Sequence, residues 1–127
     1  MLDRFTEVGL IDDAELARTL VRTRVAERHL SRRALAVELR RKGIADDDAR
    51  AALELIDEDL QEETARAFVA SRIRRASSLD PVTRSRRLVG ALARKGYSAE
   101  VATRVVREAL AADAADAAAR DEDDFRS

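Results

Sequence analysis

Residues 39–44 read LRRKGI, and residues 92–97 read LARKGY. In both phrases a glycine follows a leucine by four positions and directly precedes a large apolar or aromatic residue. A helix that ends at a left-handed glycine brings the residues on either side of that glycine into hydrophobic contact. Each phrase therefore predicts the end of an α-helix, with Gly43 and Gly96 just beyond the last turn.

The two phrases belong to an internal repeat. Residues 17–24, ARTLVRTR, align with residues 65–72, ARAFVASR, at an offset of 48, whereas the glycine phrases lie 53 residues apart. The five extra residues of the second copy fall around residues 77–81, SSLDP, a composition typical of a loop that enters a helix. Each copy contains three helical patterns. We therefore predict an all-α fold of tandem three-helix repeats in an elongated, curved arrangement.

The predicted repeats divide the chain into four parts. Residues 1–10 end in FTEVGL, which has the same glycine pattern, and are interpreted as the remnant of a preceding repeat. Residues 11–57 and residues 58–111 are the two three-helix repeats. Residues 112–127 are predicted to form an acidic, disordered tail. Within the second repeat, Gly90 falls inside a helix, where we expect it to allow close packing.

The net charge of -1 conceals a strong segregation of charge along the chain. Residues 18–42 carry nine basic and two acidic side chains, whereas residues 46–63 carry one basic and nine acidic. Residues 66–95 are again basic, with nine against one, and residues 100–127 are acidic, with eight against four. A basic stretch in each repeat suits a nucleic-acid backbone or an acidic protein surface.

Helical geometry places these basic side chains on particular faces. If Leu35 and Leu39 face the core, the neighbouring arginines project to the opposite side, and the second repeat has the same arrangement. Of 24 basic residues only two are lysines, and both stand at the same repeat position, where the helix dipole alone stabilises a cation by roughly 0.3–1 kcal/mol. The predicted binding residues are Arg33, Arg40, Arg41, Lys42, Arg86, Arg87, Arg94 and Lys95.

The composition argues against an enzyme and against a metal or cofactor site. The chain has no cysteine and a single histidine, His29, without a second ligand beside it. Asp46, Asp47 and Asp48 lack the central glycine of a calcium loop and are interpreted as the start of a helix. The glycines are isolated, so no phosphate-binding loop is predicted. No apolar stretch reaches the length of a membrane span, and with four aromatic residues base stacking is not expected as the main binding mode.

With these features the chain resembles the RecX family of regulatory proteins, which modulate the RecA recombinase. The resemblance rests on GLIDD at residues 9–13, VRTR at residues 21–24, and LRRKGI followed by ADDDARAAL at residues 45–53, in this order and spacing. It extends to about residue 111. The chain departs from the family pattern in Leu16, where an aromatic residue is common, and in an N-terminal unit that is nearly missing.

Without an apolar span or a signal segment the chain is expected to be cytoplasmic, and we expect a monomer. The resemblance implies a protein that lies in the groove of the RecA filament on DNA and inhibits filament extension, ATP hydrolysis and strand exchange. The positions that it implicates, in contact with acidic filament surfaces or DNA phosphates, are Arg24, Arg41, Lys42, Arg72, Arg94 and Lys95. Two alternatives stay open: a helical DNA-binding protein that acts without RecA, and a helical adaptor for another acidic protein. The first predicts steeply salt-dependent binding to naked DNA, and the second predicts binding to neither DNA nor filament.

Overall fold

The computed structural model describes residues 12–126, and within them the chain forms six α-helices and no strand. In chain order they are α1 (Asp13–Arg28), α2 (Arg32–Arg41), α3 (Asp46–Leu53), α4 (Glu58–Arg72), α5 (Pro81–Arg94) and α6 (Ala99–Arg126). Helices α1 to α3 pack against one another, and so do α4 to α6. The predicted all-α fold of tandem three-helix repeats is confirmed.

Short polar side chains begin most of the helices. Helices α1, α2, α4 and α5 begin with a side-chain oxygen that accepts a hydrogen bond of 2.8–3.4 Å from a backbone N–H two or three residues farther along the chain. Their capping residues are Asp12, Ser31, Asp57 and Asp80. Each of these caps stabilises its helix because it satisfies a donor that the helix leaves unpaired. Bonds from the backbone and the hydroxyl of Thr83 lower the pKa of Asp80 below its usual value. Helix α3 lacks a side-chain cap and begins instead with three aspartates that complement its dipole.

Both glycine phrases end their helices in the same geometry. Gly43 has a φ of 76° and Gly96 a φ of 99°, both in the left-handed region. In each case the residue after the glycine donates its N–H at 3.2 Å to the carbonyl of the leucine five positions earlier. The residues after the two glycines, Ile44 and Tyr97, are both buried. The helix ends predicted from the two phrases are therefore confirmed.

Each repeat buries an apolar core of its own. The first core contains Ala17, Val21, Leu35, Leu39, Ile44, Ala52 and Ile56. The second contains Ala65, Phe68, Val69, Ile73, Leu88, Leu92, Tyr97, Ala102, Val105 and Val106. Val21 and Val69 are both buried, as are Leu35 and Leu88. The two sequence offsets of 48 and 53 thus relate equivalent places in the two repeats.

Helix α6 differs from the sequence prediction, which placed a disordered tail from residue 112. The helix continues to Arg126. Residues 111–119 contain seven alanines, the strongest helix former, and they extend a helix that is already held by the second core. Arg84 also donates at 2.9 Å both to the Asp113 carboxylate and to the Ile73 carbonyl, which ties the extension to the repeat.

The expected role of Gly90 in close packing is wrong. Gly90 lies inside α5, where a Cβ atom would meet only the guanidinium of Arg94, at 3.7 Å. That distance is an ordinary van der Waals contact. The glycine therefore leaves space beside it rather than admitting a neighbouring helix.

Two further predictions concern the ends of the chain and membranes. The preceding-repeat remnant predicted for residues 1–10 lies outside the described residues. No helix within residues 12–126 is long and apolar enough to cross a membrane.

Candidate binding groove between the repeats

The two repeats meet where the end of α1 faces the end of α5. The N–H of Ser31 donates to the Lys95 carbonyl at 3.0 Å, and the hydroxyl of Tyr97 donates to the His29 carbonyl at 2.9 Å. Gly96 lies so close to α2 that a Cβ atom there would be 2.8 Å from a side-chain carbon of that helix. Burial raises the pKa of Tyr97 well above its usual 10.0, so its hydroxyl remains a proton donor.

The ring of Phe68 lies at this joint and contacts two cations. The guanidinium carbon of Arg72 is 4.8 Å from the ring centroid, and Nζ of Lys95 is 5.5 Å from it. Both distances fall within the range of a cation–π interaction. The ring of His29 lies 5.8 Å away in a tilted arrangement. The contact of Phe68 with two cations was not predicted from the sequence. The signal that could have indicated it is the difference between the repeats at this position, where the first repeat has Leu20 and the second has an aromatic residue.

A groove of about 870 Å³ runs between the repeats beside the joint. Its apolar lining includes Leu30, Ala34, Val37 and Tyr97, and its cations are Arg28, Arg33, Arg41, Lys42 and Arg94. We call this cavity the basic groove. Its acidic lining residue, Glu38, already accepts a hydrogen bond at 2.7 Å from Nε of Arg24. The groove therefore presents a positive surface next to an apolar one.

A second cavity of about 260 Å³ lies within the second repeat, between α4 and α5. Four arginines line it, Arg72, Arg75, Arg87 and Arg94, together with the apolar Ala76, Leu79, Leu88 and Ala91. We call it the arginine pocket. Over residues 12–126, none of the four guanidinium groups takes part in an ion pair. Arg94 lines both cavities and connects them.

The structure brings together only part of the predicted binding residues. Those that line the basic groove or the arginine pocket are Arg33, Arg41, Lys42, Arg72, Arg87 and Arg94, while Lys95 lies at the joint. Arg24 is paired with Glu38 and only 20% exposed. Arg40 lies near Asp46 between α2 and α3, and Arg86 lies with residues of the first turn of α5. The binding role of all ten residues stays a prediction.

Two cavity arginines were not singled out from the sequence. Arg28 lines the basic groove, and Arg75 lines the arginine pocket. Arg28 follows Arg24 by four residues, and Arg75 follows Arg72 by three. Residues four apart share one face of a helix, so helical periodicity was the signal that could have identified Arg28. Arg75 lies in the turn that follows α4, which helical periodicity does not describe.

The arrangement is suited to binding anions rather than to catalysis. In the described part of the chain, no three metal-ligating side chains lie together. Arginine forms bidentate, charge-assisted hydrogen bonds with phosphate and carboxylate groups, and the two connected cavities concentrate such donors on one side of the molecule.

Comparison with known proteins identifies both repeats. The family model of the second three-helix domain of RecX matches residues 12–53. The family model of the third three-helix domain of RecX matches residues 59–106. The first match contains α1 to α3, and the second contains α4, α5 and the start of α6. The repeats found by internal alignment thus correspond to two consecutive domains.

Proteins with similar sequences are also named RecX. Regulatory protein RecX of Thermobifida fusca (strain YX) is 48% identical over 113 residues, which are 89% of this chain and 61% of the relative. Regulatory protein RecX of Streptomyces coelicolor is 50% identical over 110 residues, 87% of this chain and 58% of the relative. The chain therefore spans about 60% of the length of these relatives.

Solved structures share the fold. The crystal structure of RecX from Lactobacillus salivarius has a TM-score of 0.69 at 24% identity and covers 84% of this chain and 70% of its own. A second crystal structure, of regulatory protein RecX, has a TM-score of 0.66 at 28% identity. The match covers 79% of this chain and 49% of the chain in that structure. Two consecutive domain matches and relatives of nearly half identity lead to one conclusion: the chain belongs to the RecX family of regulatory proteins.

Proposed function

We propose that this chain regulates the RecA recombinase by binding in the groove of the RecA filament on DNA. It thereby inhibits filament extension, ATP hydrolysis and strand exchange, and it acts in the cytoplasm as a monomer. Membership of the RecX family supports this function, since the relatives are named as regulatory proteins. Because the chain spans about 60% of those relatives, the activity is proposed for the two repeats themselves.

The basic groove is the observation that carries the proposal. Five cations line it, and the carboxylate of Glu38 is already engaged by Arg24. A positive surface of this kind attracts an acidic protein surface from a distance and raises the rate of association. The adjacent apolar side chains, including Val37, which is 44% exposed, supply area that a protein partner can bury.

Binding in a filament groove explains inhibition by a population shift. A ligand that contacts two neighbouring subunits binds most tightly to one relative arrangement of them and thereby favours that arrangement. Our proposal is that a protein bridging two subunits holds them in one arrangement and thereby slows ATP turnover. Inhibition of this kind requires only a few bound copies for each filament.

The test is ATP hydrolysis by RecA on single-stranded DNA. The protein is added well below one copy per RecA, with DNA in excess of what the protein could sequester, and we expect hydrolysis to slow. Arg41→Glu, which changes the basic groove, should weaken the inhibition roughly ten-fold because it removes a charge-assisted hydrogen bond to the partner. The matched control is Arg107→Glu, the same charge reversal on an exposed part of α6.

Three results would contradict the proposal. Absence of inhibition, at concentrations where a complete relative inhibits, would show that these two repeats do not regulate the filament. Equal weakening by Arg41→Glu and Arg107→Glu would show that net charge, and not the basic groove, governs the effect. Inhibition that disappears when DNA is in excess would indicate a DNA-binding protein that acts without RecA.

A further inference from the structure

The first repeat neutralises one of its arginines internally. Arg24 in α1 donates through Nε to Oε1 of Glu38 in α2 at 2.7 Å, and the two side chains are 20% and 21% exposed. The offset of 48 relates Arg24 to Arg72, and the offset of 53 relates Glu38 to Ala91. The second repeat therefore has the cation without the carboxylate beside it. Both Arg72 and Ala91 line the arginine pocket.

At the other positions that line the pocket, the second repeat also carries more positive charge than the first. The ionisable residues of the arginine pocket are Arg72, Arg75, Arg87 and Arg94, with a formal charge of +4. The residues aligned with the pocket in the first repeat include Arg24, Glu27, Arg28, Ala34, Glu38 and Arg41, with a formal charge of +1. Two carboxylates present in the first repeat are thus missing from the second, and the second has one arginine more.

Phe68 holds the arginine that has no carboxylate partner. The guanidinium carbon of Arg72 lies 4.8 Å from the ring centroid, at a position where the first repeat has Leu20. A cation–π interaction attracts a guanidinium to the ring without using its N–H groups in a hydrogen bond to an oxygen acceptor. No side-chain hydrogen bond from Arg72 to another residue occurs within residues 12–126. The pocket therefore contains a cation whose side-chain donors are unused within the described residues.

The longer connection between α4 and α5 forms a wall of the pocket. The first repeat passes from α1 to α2 through residues 29–31, whereas the second uses residues 73–80 between α4 and α5. Backbone bonds of 3.1 Å, from Arg75 to Arg72 and from Leu79 to Ala76, close this segment into turns. Ala76 and Leu79 line the pocket. These two side chains add apolar surface beside the exposed arginines of the pocket.

We infer that the arginine pocket is a phosphate-binding site for the backbone of a nucleic-acid strand. A phosphate oxygen takes the place beside Arg72 that the Glu38 carboxylate takes beside Arg24. This inference goes beyond the proposed function, because it assigns a direct contact with nucleic acid that needs no RecA.

A phosphate backbone fits this surface better than a single carboxylate does. Four guanidinium groups around about 260 Å³ carry more charge than one carboxylate neutralises, whereas a strand supplies a charge at every nucleotide. Arg94 leads from the arginine pocket into the basic groove, where Arg41 and Lys42 follow. The pocket has no aromatic lining residue on which a base could stack, so contacts with the backbone, without sequence preference, are expected.

The decisive variant is Ala91→Glu, which restores the carboxylate that the first repeat already has. Its matched control is Val82→Glu, with the same charge change on the same helix at a site that is 65% exposed and outside the pocket. Binding of a short fluorescein-labelled oligothymidylate is measured by fluorescence anisotropy without RecA at several salt concentrations. Ala91→Glu should weaken binding roughly ten-fold. It should also reduce the slope of log K against log salt by about 0.7 for each phosphate that the variant no longer neutralises.

Several outcomes would overturn the inference. Equal reductions in affinity for Ala91→Glu and Val82→Glu would indicate an effect of net charge. Equal affinity for a peptide nucleic acid of the same sequence, which has no phosphates, would exclude a phosphate contact. Abolished polyglutamate binding in Ala91→Glu with unchanged oligothymidylate binding would identify a carboxylate partner instead.

Circular dichroism establishes whether Ala91→Glu folds. If it does not, the exposed pair Arg75→Gln and Arg87→Gln replaces it, and unchanged oligonucleotide affinity in that double variant would overturn the inference. Because RecA is absent from these measurements, a negative result leaves the proposed filament regulation untouched. That proposal is tested separately by ATP hydrolysis.

Discussion

Gly43 and Gly96 occupy the same position of the repeat, and both adopt a left-handed backbone. A Cβ atom on Gly43 would meet nothing within 4 Å, whereas one on Gly96 would lie 2.8 Å from Cβ of Ala34 and closer still to Oγ of Ser31. Gly43 is thus required for its backbone conformation alone. Gly96 is required for that conformation and for the contact between the repeats.

Alanine substitutions should separate these two requirements. Gly43→Ala is expected to lower the free energy of unfolding by about 1–2 kcal/mol, because an L side chain is strained in the left-handed region. Gly96→Ala should cost about 1–3 kcal/mol more, since its methyl group also overpacks the joint. Urea unfolding followed by circular dichroism measures both values. Equal destabilisation by the two substitutions would mean that the contact between the repeats accommodates the added methyl group without a loss of stability.

Tyr97 makes stability depend on pH in the alkaline range. Burial raises its pKa above the usual 10.0, so the folded value exceeds the unfolded one. The stability from this group is fully present below about pH 10 and is lost as the pH rises from there toward the folded value. Tyr97 is the single tyrosine of the chain, so tyrosinate absorbance reports on it alone. Tyrosinate formation near pH 10 in the folded protein would contradict the prediction.

Tyr97→Phe is the control for this pH dependence. The variant lacks the hydroxyl that donates to the His29 carbonyl at 2.9 Å. It should lose about 1 kcal/mol of stability at neutral pH, the value typical of one hydrogen bond. Above pH 10 the variant should lack the additional destabilisation that the wild-type chain shows, and the two free energies of unfolding should converge.

Helix α5 contains a glycine that its packing does not require. Gly90→Ala should raise the free energy of unfolding by about 0.5–1 kcal/mol, because alanine restricts the unfolded chain and favours the helix. A Cβ atom there would contact only the Arg94 guanidinium, at 3.7 Å. Thermal unfolding at neutral pH is the measurement. A destabilised variant would reveal close packing that these distances do not show.

Helix α6 combines an anchored beginning with an unfavourable end. Its core residues Ala102, Val105 and Val106 are buried, and Asp113 pairs with Arg84 at 2.9 Å. Farther along, residues 121–124 are exposed and acidic, and negative charge near a helix C-terminus opposes the dipole. The alanine-rich residues 111–119, with their high helix propensity, connect the anchored beginning to this acidic end.

At the scale of the whole molecule, packing of the repeats joins two basic faces into one surface. Arg94 lies at the junction, because it lines both the basic groove and the arginine pocket. Arg86 lies on the same helix and is also exposed, but it lines neither cavity. Sequence reasoning treated these two arginines as equivalent members of one face.

The two arginines should therefore differ in function. Arg94→Glu is expected to weaken filament binding roughly ten-fold or more, since it removes a charge-assisted hydrogen bond and adds a repulsive charge. Arg86→Glu, with an identical change of net charge, should weaken it about two-fold or less, the effect of net charge alone. Co-sedimentation with RecA filaments at several salt concentrations measures both. Similar reductions in affinity would refute the assignment of the site to the two cavities.

The sequence alone determined the repeat, the three helical patterns of each copy, and the helix ends at Gly43 and Gly96, but it did not determine the extension of α6 to Arg126. These features depend on residues close together along the chain. The side chains of Asp12 and Ser31 bond N–H groups within three residues, and the glycine ends close over five. Periodic apolar residues such as Leu35 and Leu39 likewise indicate their buried face within a single helix.

Only the tertiary structure decided which arginines act together. Its contacts join residues far apart in sequence, such as Tyr97 and His29, which are 68 positions apart. Whether an arginine is neutralised depends on the residue placed opposite it by packing, and two aligned arginines thus differ: Arg24 faces Glu38, whereas Arg72 shares a pocket with Ala91. Local sequence predicts the face of a helix on which a charge lies, and the packing of helices determines what that charge meets.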